Sequence, residues 1–376
     1  MRYCGACCHR VPCMTDLLSP ADLASQPLDH ALALPAPYYT DARMPALDAA
    51  AVFARSWQLV GHAAQLAGVG DHVVADVAGL PLLVVRSDAT TIRAFHNVCR
   101  HRAGPLATCP GRGASALRCH YHGWTYGLDG VLRGAPEMGR TPDFKPADIR
   151  LPEVSVQVWQ GLVFVTIGAA PPFAGFVAGI DARLGPECDL AGYAFHHRTG
   201  YDIACNWKVY VDNYLEGYHV PQIHPGLNRL LDYRSYVTET ADWHSLQYSP
   251  LESAPDLYGK GEALYYFLYP NTMLNILPGR LQTNRVLPLG VDHCRVEFDF
   301  HYAPDAGAAA QARRARDLAF SDEVQQEDVG MCEQVQRGLA SGSYRAGRLN
   351  PLRENAVHHF HELLRQAYRD APDRSA

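Results

Sequence analysis

The chain has 376 residues, 48% hydrophobic and 19% charged, which is enough for two domains with real cores and unlike a disordered chain. A net charge of −6 excludes the basic face of an obligate nucleic-acid binder. No window approaches the roughly 20 unbroken apolar residues of a membrane span, and the N-terminal stretch lacks the apolar run of a secretion signal. A cytoplasmic, reducing location is therefore expected, in which the 11 cysteines serve as free thiols or ligands.

Four cysteines, Cys4, Cys7, Cys8 and Cys13, crowd the start. They would suit a second small metal site or a non-essential leader. We take them as a leader, because no matching ligand cluster lies nearby and chain ends are usually loose. Residues 47–60 read as a short amphipathic helix running into a strand. From 70 to 167 come short β-like runs broken by Gly, Pro and Asp, with Asp129-Gly130 and Gln160-Gly161 as turn signals. This predicts a small all-β domain, with the Pro-rich stretch 168–176 as its exit. Helix-like segments at 204–219 and 307–340 then flank strand-like runs such as "LYYFLYP", "TMLNIL" and "CRVEFDFHYA". The whole reads as α+β, the larger part built on an antiparallel sheet.

Two stretches of the β domain carry chemistry. "CRHRAGPL" presents Cys99 and His101, and "CHYHGWTY" presents Cys119 and His122. Gly104 and Gly123 follow, and glycine lets backbone amides approach sulfur closely. Two Cys and two His could hold structural zinc, or a [2Fe–2S] cluster with both Cys on one iron and both His on the other. A zinc finger would place both cysteines first and both histidines on a helix. The C-x-H … C-x2-H order on hairpin tips instead resembles the Rieske family. His120 should turn away from the cluster by strand alternation, and His96 reads as a packing residue.

A second constellation follows. In the helix predicted from 205 to 219, Trp207, Val211, Tyr214, Leu215 and Tyr218 recur at helical spacing. Glu216 and His219 would then share a face, with Pro221 interrupting the helix and His224 on the next turn. Further on, Phe320, Val324, Asp328, Met331, Val335 and Leu339 form one helical stripe with Asp328 in its middle. A carboxylate there needs a counter-charge. Ferrous iron held by His219, His224 and Asp328 would supply it, and the alternative is an ion pair with an arginine such as Arg285. Glu323, Glu327 and Glu333 fall off the stripe and are expected in solvent.

Together these motifs resemble the terminal oxygenase (alpha) subunits of Rieske non-haem iron oxygenases, over about residues 47–368. The segments "NWKVYVDNYLEGYHVPQIHP", "YPNTMLNILPGRLQTNRVLPLG" and "GRLNPLRENAVHHFH" carry the likeness. The resemblance implies a Rieske domain at 55–168, inserted into or preceding a helix-grip catalytic domain at 169–376 that also includes residues 1–54. It implies a [2Fe–2S] cluster, a mononuclear Fe(II) and O2 as co-substrate. It also implies a homotrimer in which Glu216 bridges His219 to His122 of a neighbouring subunit. High-potential Rieske proteins pair a further cysteine from each ligand loop. Gly104 and Tyr121 stand near those places and Cys109 lies outside them, so the lower-potential branch is implied.

Many ring dioxygenases have Asp where Glu216 stands. Glu points to the branch of choline monooxygenase-like and betaine demethylase-like enzymes. The implied activity is monooxygenation or N-demethylation of a small methylated amine or betaine, with hydroxylation of an aromatic ring as the alternative. A separate NAD(P)H-dependent reductase, with or without a ferredoxin, would supply electrons, since no G-x-G-x-x-G follows a strand here. A Rieske electron-transfer protein without catalytic iron is the reading from another class. Tyr265, Tyr266, Phe267 and Tyr269, with Trp243 and Tyr248, are candidates for an aromatic substrate wall, which suits a flat ring or an ammonium.

Overall fold

In this computed structural model the described residues are 18–231, 233–251, 257–258 and 260–371. The four N-terminal cysteines lie outside them. The first sheet has six antiparallel strands: β1 Gln58–His62, β2 His72–Val77, β3 Leu80–Arg86, β4 Ile92–His96, β8 Glu153–Trp159 and β9 Leu162–Thr166. Their order is β1-β9-β8-β4-β3-β2. Both predicted turns take shape, Gly161 between β8 and β9 and Gly130 outside this sheet, at φ +76° and +79°. Such angles favour glycine because a Cβ would clash with the backbone.

Although β4 and β8 are neighbours in the sheet, 56 residues (97–152) intervene between them. That excursion carries both Cys/His pairs and a small sheet of β5 Leu117–Arg118, β6 Thr125–Tyr126 and β7 Leu132–Gly134. Its core gathers Leu83, Phe95, Trp124 and Tyr126 around the two cysteines.

The larger sheet has seven antiparallel strands: β10 Ala194–Ile203, β11 Val237–Thr240, β12 His244–Pro250, β13 Glu262–Leu268, β14 Thr272–Leu277, β15 Arg280–Pro288 and β16 Cys294–Tyr302. Their order is β10-β16-β15-β14-β13-β12-β11. The long helix Ala308–Ala340 and the C-terminal helix Asn355–Arg369 complete this unit.

The N-terminal segment packs here too. Tyr38, Met44, Val52 and Phe53 share one core with Trp207, Phe298 and Phe360. Buried Asp48 accepts from Trp207 Nε1 at 2.8 Å and Tyr368 Oη at 2.6 Å, and pairs with Lys208 Nζ at 2.5 Å. A buried carboxylate persists only when so satisfied. The first sheet is thus an insertion between two parts of one α+β unit. Among the described residues no helix is long and apolar enough to cross a membrane.

Candidate metal centres

At the first site, Cys99 and Cys119 are buried while His101 and His122 are exposed, their ring centroids 4.5 Å apart. Two tight turns build it. In one, Cys99 N–H donates to the Gly104 carbonyl and Ala103 N–H to the Cys99 carbonyl. In the other, Cys119 N–H donates to Trp124 and Gly123 N–H to Cys119.

A Cβ on Gly104 would come within 3.0 Å of Cys119 Sγ and 3.4 Å of Tyr121 Cβ. Only glycine therefore keeps the space beside the sulfur open, and Gly104 and Tyr121 do face each other. Burial raises the Cys119 thiol, backbone N–H groups of Tyr121 and His122 pull it down, and the Cys99 thiol raises it. Tyr126 Oη lies 3.3 Å from Cys99 Sγ. Sulfurs ringed by donors, with two imidazoles reaching outward, fit a cluster whose sulfurs are inside and whose histidines meet a partner.

Sequence reasoning missed the brace of this loop, Asn97. Its Oδ1 accepts from Leu106 and Ala107 N–H, and its Nδ2 donates to the Ala107 carbonyl. An Asn two residues before the first ligand was the available signal. His120 is exposed, His96 is half-buried on β4, and Cys109 is exposed.

The second site also forms, by a different route than the helical pattern implies. The helix ends at Tyr214, so Glu216 and His219 do not share a helical face. A new helix, Val220–Ile223, opens with Pro221 in its first turn instead of being broken by it. Proline suits that place because its missing N–H has no helical acceptor to meet. Glu216 holds the intervening bend, accepting from the backbone N–H of Tyr218 and of His219.

The ligand atoms of His219, His224 and Asp328 all lie within 4.8 Å of one another. Each imidazole is oriented by a carboxylate. His219 Nδ1 is 2.6 Å from Glu216 Oε1, and His224 Nδ1 is 2.6 Å from Glu327 Oε2. With Nδ1–H donating outward, both Nε2 atoms turn to Asp328, at 3.8 and 3.0 Å. Asn213 Nδ2 donates to Asp328 at 2.7 Å. Burial pushes the His224 imidazole down, but Asp328 and Glu327 outweigh it and hold it above its ordinary value. Two neutral nitrogens and one carboxylate on one side of a space are the donor set of a facial triad with open positions.

One expectation is corrected here and one alternative falls away. Glu327 is not a solvated bystander but the partner of His224, because His224 reaches across from the preceding loop to the flank of the helix. Arg285 does not meet Asp328; it pairs with Glu297 and donates to the Leu59 carbonyl. The helical stripe also differs from a core face. Phe320, Val324 and Asp328 line one cavity, whereas Met331, Val335 and Leu339 line a second. Asn213, Glu216 and His219 border both cavities.

The aromatic wall is redrawn as well. Of the four residues on and after β13, Tyr265 lines the first cavity, while Tyr266, Phe267 and Tyr269 belong to packed cores. The lining aromatics that the sequence did not reveal include Tyr210, Tyr236, Tyr258 and Phe298. They come from separate elements with no common period.

Comparison with known proteins bears on what such a pair of centres does. Residues 56–145 match the model of the Rieske [2Fe-2S] domain, and residues 190–370 that of the ring hydroxylating alpha subunit (catalytic domain). The chain is 38% identical to choline monooxygenase of Arabidopsis thaliana, over 90% of this chain and 83% of that protein. It is 30% identical to the carnitine monooxygenase oxygenase subunit of Escherichia coli K12, over 94% and 98%. A quaternary ammonium Rieske monooxygenase, CntA, solved with L-carnitine, superposes with TM-score 0.81 at 26% identity, over 92% of this chain and 99% of that one.

Naphthalene 1,2-dioxygenase from a Rhodococcus species shares the fold, with TM-score 0.75 at 19% identity over 90% and 95%. Neither a zinc module nor an electron carrier without catalytic iron is compatible with these matches. The chain is a member of the Rieske non-haem iron oxygenase family, an alpha subunit that uses O2 with a [2Fe–2S] cluster and a mononuclear iron.

Proposed function

We propose that this oxygenase monooxygenates or N-demethylates a small quaternary ammonium compound. The observation that carries this reading is a cavity of aromatic side chains, including Tyr214, Tyr236 and Tyr265, leading to a centre ringed by carboxylates. Aromatic faces favour a cation. Relatives that act on choline and carnitine cover most of this chain. Ring hydroxylation is not favoured, since the likeness to naphthalene dioxygenase is one of fold.

The site assignments belong to the same proposal. Cys99, His101, Cys119 and His122 hold the cluster, and His219, His224 and Asp328 hold the iron. When bound, the two groups supply single electrons and the activation of O2. The chain's own residues position, orient and exclude water. Glu216 fixes the His219 ring and stands on the wall between two cavities, one for substrate. The second is suited to receive a neighbouring subunit's exposed tip, where Glu216 would accept from His122. A homotrimer follows from that reading, and inter-subunit electron transfer is described for the quaternary ammonium monooxygenase. A separate NAD(P)H-dependent reductase, with or without a ferredoxin, completes the system.

We place the Rieske domain at 55–168 and the catalytic domain at 169–376 with 1–54. None of the seven described cysteines is in a disulfide, which suits a reducing, cytoplasmic setting. The test is a screen of methylated amines with a surrogate reductase, comparing NADH-dependent O2 uptake with product formed. Stoichiometric product from a quaternary ammonium supports the reading. Coupled turnover of aromatic rings alone overturns it.

A further inference from the structure

The sheet side of the substrate cavity is a row taken across four strands. Gln247 on β12 opposes Tyr265 on β13, Tyr265 opposes Asn275 on β14, and Asn275 opposes Gln282 on β15. Three of these four are amides in a largely buried wall, where polar atoms normally find partners. Asn275 accepts from Tyr214 Oη at 2.7 Å. Gln282 accepts from Ser321 at 3.2 Å and donates to Asn284 at 2.7 Å.

Gln247 differs. It is 2% exposed, and its Nε2 donates to the Tyr214 backbone carbonyl at 2.7 Å. A carbonyl accepts only a donor, so that bond fixes which end of the amide is oxygen. Gln247 Oε1 is therefore a buried acceptor on a residue of the wall, and among the described residues no group donates to it. Leaving such an acceptor unmatched is unfavourable, and a ligand donor relieves it.

Charge narrows the choice. Arg280 is the one arginine or lysine among the described lining residues; it forms an ion pair with Asp317, Nε to Oδ2 at 2.7 Å, and its Nη2 donates to Gln282. Asp317 also accepts from Tyr258 and Tyr302 hydroxyls at 2.6 and 2.5 Å. That cation is already balanced, so the described lining offers no uncommitted positive side chain to a substrate carboxylate. A quaternary nitrogen has no N–H and a carboxylate has only acceptors, whereas a hydroxyl can donate.

We infer that Gln247 is a specificity residue that accepts a hydrogen bond from a substrate hydroxyl. The site then takes small hydroxylated ammonium compounds ahead of carboxylated or unfunctionalised ones. The inference rests on the ammonium reading above, and the test separates the two. The holoenzyme is titrated calorimetrically, without reductase, with choline, with propyltrimethylammonium (a methyl in place of the hydroxyl) and with glycine betaine. Wild type should prefer choline to both others by roughly tenfold, the size of one well-made buried hydrogen bond.

Gln247→Met should weaken choline by roughly tenfold and leave propyltrimethylammonium within about twofold. A glutamine with a merely structural role would weaken both alike, which would overturn the inference. So would equal affinities in the wild type or a preference for glycine betaine. If the variant does not fold, the wild-type ligand comparison decides alone. Failure of the wild type to bind any of the three would overturn the ammonium reading, and this inference with it.

Discussion

At the hairpin tips the cysteines are buried and the histidines reach solvent. At the second centre it is His224 that is buried, at 1% exposure, and the first cavity that leads to it. The tips draw four side chains from within 24 residues, on turns set by backbone hydrogen bonds and two glycines. The second centre draws His219 and His224 from one bend and Asp328 from a helix more than 100 residues later, and a carboxylate fixes each ring. The first arrangement suits a group that must meet a partner. The second suits one that must be kept from water while a small molecule enters. A centre made of local turns carries its own geometry, whereas one made across the fold depends on second partners.

Removing one proposed ligand from each centre should have the largest effect. Cys119→Ser should abolish the visible absorption and paramagnetic resonance signal of the cluster. Asp328→Ala should abolish mononuclear iron and turnover while leaving the cluster spectrum intact. Loss of both signals in either variant would mean that the centres do not form independently.

The next effect in size concerns wiring. In Glu216→Gln an amide replaces a carboxylate, so one acceptor becomes a donor. Both metals should remain and the cluster should still be reduced, but product formation should nearly stop. Single-turnover reoxidation of the reduced cluster by O2 with substrate present is the measurement. Wild-type rates would remove Glu216 from the path, and lost mononuclear iron would make it a ligand.

Glu327 should give a smaller effect, because it acts through His224. Glu327→Gln should lower Fe(II) affinity by about 10–100-fold, the usual consequence of losing a carboxylate behind a ligating histidine. Added Fe(II) should restore activity. An iron titration followed by turnover measures it, and unchanged affinity would sink the comparison's claim about second partners.

Glu327 also marks the limit of what the sequence reveals. The Cys/His spacing, the stripe around Asp328, the strands of the first sheet and β13 to β16 of the second are legible because each repeats a local period or turn signal. His224 to Glu327 is legible in neither way, since it joins a loop to the flank of a helix. Pro221 was misread for a related reason: proline breaks a helix in its middle and opens one at its start, and only the end of the preceding helix at Tyr214 decides which. Of the substrate wall only Tyr265 is legible, because the other lining aromatics come from separate elements. The stripe on the long helix is legible, but not that it lines cavities, since a cavity lining and a core lining share the same 3.6-residue period.

A third pair of histidines sharpens the comparison by being neither kind of centre. His62 on β1 and His301 on β16 meet across the two sheets with ring centroids 4.8 Å apart and planes tilted by 32°. Among the described residues no carboxylate hydrogen-bonds either ring, and His62 Nε2 and His301 Nδ1 are both buried without a hydrogen-bond partner. Burial first, then the neighbouring His62 and Arg198, lower His301 to about 4 against the opposing pull of Asp299. Burial likewise lowers His62. A histidine depressed in the folded state stays neutral while the unfolded chain, with its ordinary value near 6.5, takes up protons. Stability should therefore be unaffected above about pH 6.5 and fall as pH drops from there toward 4. For His301 the loss would total about 3 kcal/mol over that window. His301→Phe should flatten this part of the melting-temperature profile, in the iron-loaded and chelator-treated protein alike. A profile that keeps its slope would show that the acid sensitivity lies elsewhere. A slope that chelation removes would show that this pair, too, answers to metal.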